Sequence, residues 1–355
     1  MTSRKTWGGV DGGPALAVRA KAGDADDAAA ADRLAFEQLA SERRNEIKVH
    51  CYRMLGSLSD AEDKTQETFE RAWRARGELV NQASARPWLY RIATNACLDA
   101  LRGRKRKRRL WGDPVPTVAG ADLGPPNLDV DWLEPMPDSV MSDIAIDWLS
   151  PHASYEQAEA VRLAFLACVQ LLPARQRAIF LLQEVLGWSA AEVASALGMS
   201  PQAANSLLQR ARRTFDAAYR LEPKWAAASD LDQQVAERYA AALERRDIDA
   251  FVSLLRSDVA LRMPPWRAWF SGRSAVRAFV AQLLQGYSGY RAHVFRANGR
   301  SAIAVYTRMA DDDAWQPHAV HVLEVSEGAV ASIVAFAGPL GPSLFSNMGL
   351  PLLPP

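Results

Sequence analysis

The stretch "SAAEVASALGMSPQAANSLLQRARR", from Ser189 to Arg213, carries the signals for two short helices around a tight turn. Ser189 and Glu192 have the spacing of a capping box, which starts a helix by satisfying its first N–H groups. Gly198 can adopt the positive φ that ends this helix, and Ser200 followed by Pro201 begins another. The pattern predicts a helix-turn-helix, although an Ala-rich hairpin with solvated arginines fits the capping signals equally well.

Polar side chains of the second helix are the candidates for contact with DNA. In a helix-turn-helix, the N-terminal residues of the second helix meet base edges, and basic residues near it contact phosphates. Ala204 and Leu208 form its apolar face, which leaves the polar residues on the other faces. The predicted DNA-binding residues are Ser200, Gln202, Asn205, Ser206, Arg210, Arg212 and Arg213.

The residues before this stretch favour the DNA-binding interpretation. "LPARQRAIFLLQEVLGWSAAEVASALGMS", residues 172–200, resembles region 4 of the extracytoplasmic-function sigma factors of bacterial RNA polymerase. The resemblance implies that this domain reads the −35 promoter element. Many members carry basic residues where this chain has Asn205 and Leu207, so the −35 sequence of better-known relatives does not transfer.

An acidic helix is predicted over "SDAEDKTQETFERAWRA", residues 59–75, with Ser59 or Asp60 as its cap. Its polar edge carries Asp63, Gln66, Glu67 and Glu70, and a solvated acidic surface is the ordinary interpretation of such an edge. The sequence resembles sigma region 2.2. That resemblance implies binding to RNA polymerase core, through the clamp of the largest subunit and, for the −35 domain, the flap.

A basic segment follows in "ARPWLYRIATNACLDALRGRKRKRR", residues 85–109, which resembles sigma regions 2.3–2.4. Nine Lys or Arg residues and one acid lie between Arg86 and Arg109, a balance that favours a polyanion partner. Trp88 either stacks on an unpaired base or fills the core, and the core role is slightly favoured. The predicted −10 DNA-binding residues are Asn81, Ser84, Trp88, Arg91, Asn95, Arg102, Arg104, Lys105 and Arg106.

Residues 111–153 are predicted to form an acidic, proline-rich linker. Between Trp111 and Pro151 there are seven prolines and eight acids, without any Lys or Arg. A solubilising spacer is the simplest interpretation; alternatively, the linker lies over residues 86–109 in the free protein and mimics DNA. "WLEPMPDS", residues 132–139, is more apolar than a spacer requires and resembles a motif of large sigma factors with C-terminal extensions.

The last part of the chain changes from helical to mixed patterns. In "SAIAVYTRM" the residues Ile303, Val305, Thr307 and Met309 alternate on one strand face, and two further strands follow. The segment from about 229 to 336 resembles the SnoaL-like, NTF2-related α+β cone. This resemblance implies a pocket, and a fused regulatory domain that replaces a separate anti-sigma factor. The candidate pocket residues are Trp266, Trp269, Tyr306 and His321, with core packing as the alternative for the tryptophans.

The predicted fold class is multidomain, with all-α sigma region 2 and helix-turn-helix region 4 followed by an α+β NTF2/SnoaL-like cone. The predicted domain bounds are a disordered extension at 1–30, region 2 at 31–110, the linker at 111–153, region 4 at 154–222, and the SnoaL-like domain with its tail at 223–355. Scattered cysteines (Cys51, Cys97 and Cys168) fit a reducing cytosol and argue against disulfides or a zinc cluster.

A sigma factor that directs promoter-specific initiation is the function these features favour. The expected partners are RNA polymerase core, promoter DNA and a small molecule in the cone, with no membrane, metal, cofactor or separate anti-sigma factor; the expected location is the cytoplasm. A ligand-sensing helix-turn-helix regulator is the first alternative. A SnoaL-type isomerase or cyclase is the second, but nothing spaces an acid–base pair among His318, His321, Tyr306, Asp258 and Arg262.

Overall fold

The computed structural model describes residues 22–79, 84–102, 115–117, 120, 122–127, 132–142, 163–219, 230–309 and 314–355. The chain divides into two compact units, one ending at Glu42 and the other running from Arg43 to Pro355. In the first unit, Arg33 and Glu37 form an exposed ion pair one helical turn apart, at 3.0 Å. All the sites described below lie in the second unit.

Three helices carry the acidic and basic segments. They are α1 (Ala22–Leu55), α2 (Leu58–Arg74) and α3 (Ala85–Arg102). The first begins inside the stretch for which the sequence predicts disorder. The predicted cap of α2 was wrong, because Ser57 caps the helix by accepting a hydrogen bond from the Asp60 N–H at 3.3 Å. The cap lies earlier because Leu58 is itself helical and is buried against the neighbouring helices.

The second helical group contains the helix-turn-helix. A short helix α4 (Asp138–Ser142) lies in the linker, and the group itself comprises α5 (Leu163–Leu171), α6 (Ala174–Phe180), a π-helical turn (Leu181–Val185), α7 (Ala190–Leu197) and α8 (Pro201–Tyr219). Phe165, Phe180 and Phe215 meet in its core, with ring centroids 4.7 to 6.2 Å apart. These rings hold α8 against α5 and α6, which fixes the outward face of α8.

The C-terminal domain wraps a curved sheet around helices. Its helices are α9 (Asp230–Glu244), α10 (Ile248–Ser253), α11 (Arg273–Gln285) and α12 (Leu340–Met348). Its strands are β2 (Leu255–Arg262), β3 (Ala268–Ser271), β4 (Gly289–Ala297), β5 (Arg300–Arg308), β6 (Trp315–Ser326) and β7 (Ala329–Ala337). With β1 (Val115–Pro116), the described strands form a seven-stranded sheet of order β1-β3-β2-β7-β6-β5-β4. The predicted α+β architecture is confirmed.

Strand β5 is packed against other elements on both of its faces. Ile303 and Val305 face the helix-lined interior of the cone, whereas Tyr306 packs on Phe345 of α12, with centroids 5.1 Å apart. Both faces of the strand are therefore buried, and its burial pattern shows no alternation. The interior face bounds the cavity described below.

Two described parts of the linker, Val115–Pro116 and residues 132–137, are paired or packed, which corrects the expectation of a solubilising spacer for these residues; Gly120, Asp122, Gly124 and Pro125 are exposed. Strand β1 pairs in parallel with the edge strand β3, and Pro137 bridges to Ala297 at the end of the opposite edge strand β4. Trp132, Leu133 and Met136 are at most 4% exposed. Apolar groups leave water only where they gain contacts, so this segment is a structural part of the protein.

Candidate nucleic-acid and polymerase interfaces

Helix α8 separates a buried face from an exposed polar face. Ala204, Leu208, Ala211 and Phe215 are buried at the three- and four-residue spacing of one helix face. The exposed face carries the predicted DNA-binding residues Gln202, Asn205, Ser206, Arg210 and Arg213. Amides, hydroxyls and guanidinium groups are the side chains that read base edges and phosphates.

Three of the predicted DNA-binding residues have side chains with structural partners. Ser200 caps α8, because its hydroxyl accepts a hydrogen bond from the Ala203 N–H at 3.2 Å. Arg210 donates to the Ser206 carbonyl of the same helix at 3.3 Å. Arg212 donates to the Glu184 carboxylate at 2.6 and 3.2 Å, which ties α8 to the π-helical turn and balances the charge of Arg212 within the protein.

The helix preceding α8 begins with the capping box expected from the sequence. The Ser189 hydroxyl accepts from the Glu192 N–H at 3.3 Å, and the Glu192 carboxylate accepts from the Ser189 N–H at 2.7 Å. The backbone N–H of Ser189, followed by its hydroxyl, lowers the pKa of Glu192. Gly198 ends the helix with φ 62°. The predicted capping box and glycine turn are confirmed.

The polar edge of α2 is exposed, as an acidic docking surface requires. Asp63, Gln66 and Glu70 are exposed, and Ala61, Thr65, Phe69 and Ala72 are buried on the other side. Glu67 is half-buried and pairs with Lys64 at 2.5 Å and with Arg71. The hydrogen bond from Lys64, helped by the charges of Lys64 and Arg71, lowers the pKa of Glu67.

The −10 candidates of α3 divide into exposed and buried residues. Arg91 and Arg102 are exposed and pair with Glu78 at 3.6 Å and Asp99 at 3.1 Å. Ser84 and Asn95 are partly exposed. Trp88 is only 7% exposed, so its ring lies in the core, the role that the sequence slightly favoured over stacking on a base. Asn81, Arg104, Lys105 and Arg106 lie outside the described residues.

Arg177 joins the two helical groups. Its guanidinium is buried and donates to the Met54 carbonyl at the end of α1 at 2.5 Å, and to the Gln170 and Leu172 carbonyls at 2.9 and 3.2 Å. Gln170 in turn donates its side-chain amide to the Arg53 carbonyl at 3.0 Å. A further hydrogen bond joins Arg177 to the Gln170 side-chain oxygen at 2.5 Å. Sequence reasoning gave Arg177 no role, because most of its acceptors are backbone carbonyls.

The turn between β4 and β5 meets the linker at Asn298. This fully buried residue has φ 51°, a conformation that Asn tolerates better than most residues. Its side-chain oxygen accepts from the Met136 N–H at 2.8 Å, and its own N–H donates to the Met136 carbonyl at 2.9 Å. Next to it, the Asp138 carboxylate accepts from the Gly299 N–H at 2.8 Å.

The same linker segment also contacts the end of α1 and the start of α2. The Tyr52 hydroxyl donates to the Glu134 carbonyl at 2.5 Å, and the Asn298 side-chain amide reaches the Tyr52 oxygen at 3.3 Å. The Leu58 N–H donates to the Glu134 carboxylate at 2.7 Å. We call residues 132–138 the clasp, because this segment bonds both to the N-terminal helices and to the cone.

The cone encloses a cavity of about 620 Å³. Trp266 and His321 line it, as predicted, and Tyr239 and His318 line it as well. The Tyr239 hydroxyl lies 3.0 Å from His321 Nδ1. Tyr239 was missed because its spacing with Val235, Ala236 and Leu243 is that of an ordinary core residue on α9.

Two predicted pocket residues lie elsewhere. The Tyr306 hydroxyl donates to the Pro351 carbonyl at 2.9 Å, on the side of β5 that faces away from the cavity. Trp269 lies beside the Arg262 guanidinium, 5.7 Å from its ring centroid, and alternation along β3 places it opposite the core residues Ala268 and Phe270. Asp258 is exposed and pairs with Arg256 at 2.9 Å.

Burial keeps both cavity histidines neutral. It lowers the pKa of His318 to about 4 and, with the added charge of His318, lowers that of His321 to about 3. Within the described parts of the chain, no group of three or more His, Cys, Asp or Glu is placed to hold a metal ion. Among the same residues, no helix combines the length and apolar character needed to cross a membrane.

A helix-turn-helix with an exposed polar face, an acidic helix and a basic helix are the features expected of a transcription protein that binds DNA. Family models match three segments: Sigma-70 region 2 over residues 39–107, Sigma-70 region 4 over residues 162–215, and a SnoaL-like domain over residues 236–333. The chain is 42% identical over 321 residues to the ECF RNA polymerase sigma factor SigG of Mycobacterium tuberculosis, covering 87% of this chain and 82% of that protein. The chain belongs to the ECF RNA polymerase sigma factors.

Two further comparisons agree with this assignment. The ECF RNA polymerase sigma factor SigJ of M. tuberculosis is 30% identical over 256 residues, 69% of this chain and 72% of that one. The crystal structure of the M. tuberculosis extracytoplasmic function sigma factor SigJ matches with a TM-score of 0.55 at 24% identity, covering 89% of this chain and 99% of that one. The structural match supports the fold. The assignment favours the sigma factor over the regulator and the enzyme among the predicted functions.

Proposed function

We propose that this sigma factor binds RNA polymerase core through the exposed edge of α2 and directs promoter-specific initiation in the cytoplasm. The observation that carries the proposal is the face of α8, where amide, hydroxyl and guanidinium groups are exposed opposite a fully apolar buried face. In this proposal Gln202, Asn205, Ser206, Arg210 and Arg213 read the −35 element. Asn205 has the chemistry to pair with adenine, and Arg213 to contact a phosphate.

The −10 element is assigned to α3 and to the basic run that follows it. The described residues offered to DNA are Arg91, Arg102 and Asn95, and both arginines exchange an exposed carboxylate partner for phosphate at little cost. Exposed ion pairs of this kind contribute about 0 to 1 kcal/mol each. Asn81, Ser84, Arg104, Lys105 and Arg106 remain −10 candidates on the family resemblance.

The distance between the two promoter elements supports a regulatory role for the cone. The names of the −35 and −10 elements place them about 25 base pairs apart, or about 85 Å at about 3.4 Å per base pair. In the free chain, Arg177 bonds the −35 domain directly to the end of α1. We propose that this packed form is inactive, and that the clasp and cone hold it closed in place of a separate anti-sigma partner.

Reconstitution with bacterial core polymerase tests the proposal. The full-length protein is mixed with core, and binding and promoter-dependent run-off transcription are measured. Asp63→Lys on α2 is expected to weaken core binding, because it reverses an exposed charge on the proposed docking edge. Asp216→Lys is the matched control, since Asp216 is exposed on α8 outside that edge. Absence of core binding by the unaltered chain would refute the proposal.

A further inference from the structure

The cavity in the cone is a site of defined chemistry. We infer that it binds an uncharged, largely apolar small molecule with one polar group, and that the bound molecule holds linker residues Leu123 and Gly124 against the cone. The binding itself is independent of the proposed function. Only its consequence, stabilisation of the closed form, rests on that proposal.

The described lining disfavours charged ligands. None of the described residues that line the cavity is Asp, Glu, Lys or Arg, and both of its histidines are neutral at pH 7. An ion among these residues would lose its hydration without gaining an opposite charge, so it would bind more weakly than a neutral molecule of the same shape. Leu243, Phe251, Phe279 and Ile333 supply apolar walls. At about 620 Å³, the space falls within the usual range for small-molecule sites.

The pair of Tyr239 and His321 forms a polar position inside this largely apolar space. Tyr239 and His321 share a hydrogen bond of 3.0 Å between the phenol oxygen and Nδ1, so Nε2 is the ring nitrogen that remains for a ligand. The proton of the pair can be arranged in either direction, since the tautomer follows the hydrogen bonds made. The pair therefore matches either a donor or an acceptor on the ligand, such as a hydroxyl, a carbonyl or an amine N–H.

The linker contributes part of the wall. The Leu123 side chain lines the cavity and packs against the core of the cone. Trp266, which also lines the cavity, donates its Nε1–H to the Gly124 carbonyl at 3.0 Å, and the Asn127 N–H donates to the Pro265 carbonyl at 2.9 Å. A ligand gains its contact with Leu123 only while the linker is docked. Binding must then favour docking by the same free energy with which docking favours binding.

Two fluorescent probes that differ by one charge test the chemistry on the full-length protein. N-phenylnaphthylamine is neutral, and anilinonaphthalenesulfonate carries the same rings with a sulfonate. The neutral probe is expected to bind saturably, one per chain, with affinity about tenfold or more above that of the sulfonate because the charge cannot be solvated inside. No saturable binding of the neutral probe, or equal affinities for both probes, would overturn the inference.

Variants locate the binding. Ala335→Leu places a larger side chain in the cavity wall and is expected to reduce the affinity for the neutral probe by about tenfold or more. Ala331→Leu is the matched control, because it makes the same change on the same strand away from the lining. If Ala335→Leu fails to fold, Tyr239→Phe is the second variant, because it leaves the volume of the cavity nearly unchanged. It is expected to lower the affinity for the neutral probe several-fold. Unchanged affinity in every folded lining variant would place the probe elsewhere and overturn the inference.

Hydrogen exchange tests the coupling to the linker. Saturating neutral probe is expected to slow exchange at the Asn127 and Thr117 amides, which donate to Pro265 and Trp269 of the cone. Leu123→Ala should abolish most of this slowing and lower the affinity for the neutral probe. Unchanged exchange would overturn the coupling. Failure of core binding would refute the proposed function but leave all of these probe measurements interpretable.

Discussion

The helix-turn-helix and the linker differ in where their bonding partners lie along the chain. The capping bonds of α7 join residues three positions apart, and Ser200 caps α8 over the same separation. The clasp bond between Met136 and Asn298 spans 162 positions, and the bond between Tyr52 and Glu134 spans 82. The first structure is therefore specified by its own residues. The second exists only when two other domains are folded and in place.

The largest expected effect comes from the buried guanidinium of Arg177, which joins the two helical groups. Arg177→Met leaves the buried Met54, Gln170 and Leu172 carbonyls without their donor, so we expect the free energy of unfolding to fall by about 4 kcal/mol. Urea unfolding of the full chain measures this loss. Arg175→Met is the control, because Arg175 is exposed two positions away. Equal stability of the two variants would show that the Arg177 contacts are unimportant.

The next largest effect is expected from Asn298→Ala, which breaks the clasp. It removes the acceptor for the Met136 N–H and places alanine at φ 51°, which alanine tolerates less well than asparagine, for a combined cost of about 3 kcal/mol. Asn298→Gly relieves the backbone cost but not the lost bonds. The expected order of stability is the unaltered chain above Gly above Ala. With core polymerase, the alanine variant should initiate more readily than the unaltered chain, and a less active variant would argue against the clasp as a restraint.

Lowering the pH should destabilise the cone more than the helix-turn-helix. Burial depresses the pKa of His318 to about 4 and of His321 to about 3, so the unfolded chain takes up protons first as the pH falls below about 6.5. The free energy of unfolding keeps its full value above this pH. At about pH 5.5 each histidine has lowered it by about 1 kcal/mol. Residues 189–219 contain no histidine. The protection factor of the Asn127 amide, which corrects for the slower intrinsic exchange in acid, should therefore fall more than that of the Ala204 amide.

The smallest effect is expected within the helix-turn-helix itself. Ser189→Ala removes one half of the capping box and should cost about 1 kcal/mol. The loss should appear as faster amide exchange in α7, with the clasp unchanged. Ser195→Ala makes the same chemical change at an exposed mid-helix position and should not loosen the helix. Loosening of the clasp in Ser189→Ala would contradict the independence of the two structures.

The same difference explains what the sequence could predict. The caps of α7 and α8, the turn at Gly198 and the buried face of α8 were predicted correctly because every partner lies within a few residues. Tyr306 was misplaced although the alternation of Ile303 and Val305 already puts it on the other face of β5. Trp132, Leu133 and Met136 gave only an excess of apolar character, since their partners come from distant domains. The candidate contacts with DNA and polymerase stay predictions, because the exposure of a side chain does not identify what it binds.

The positions of the linker at the two ends of the sheet have a consequence for the behaviour of the protein in solution. β1 hydrogen-bonds to the outer edge of β3, and Pro137 bridges to the outer edge of β4 at Ala297. Open sheet edges invite strands from other molecules, which makes them sites of aggregation. Release of the linker would uncover the paired part of β3 and the end of β4 together. We therefore expect the released protein to self-associate more readily than the form with the linker docked.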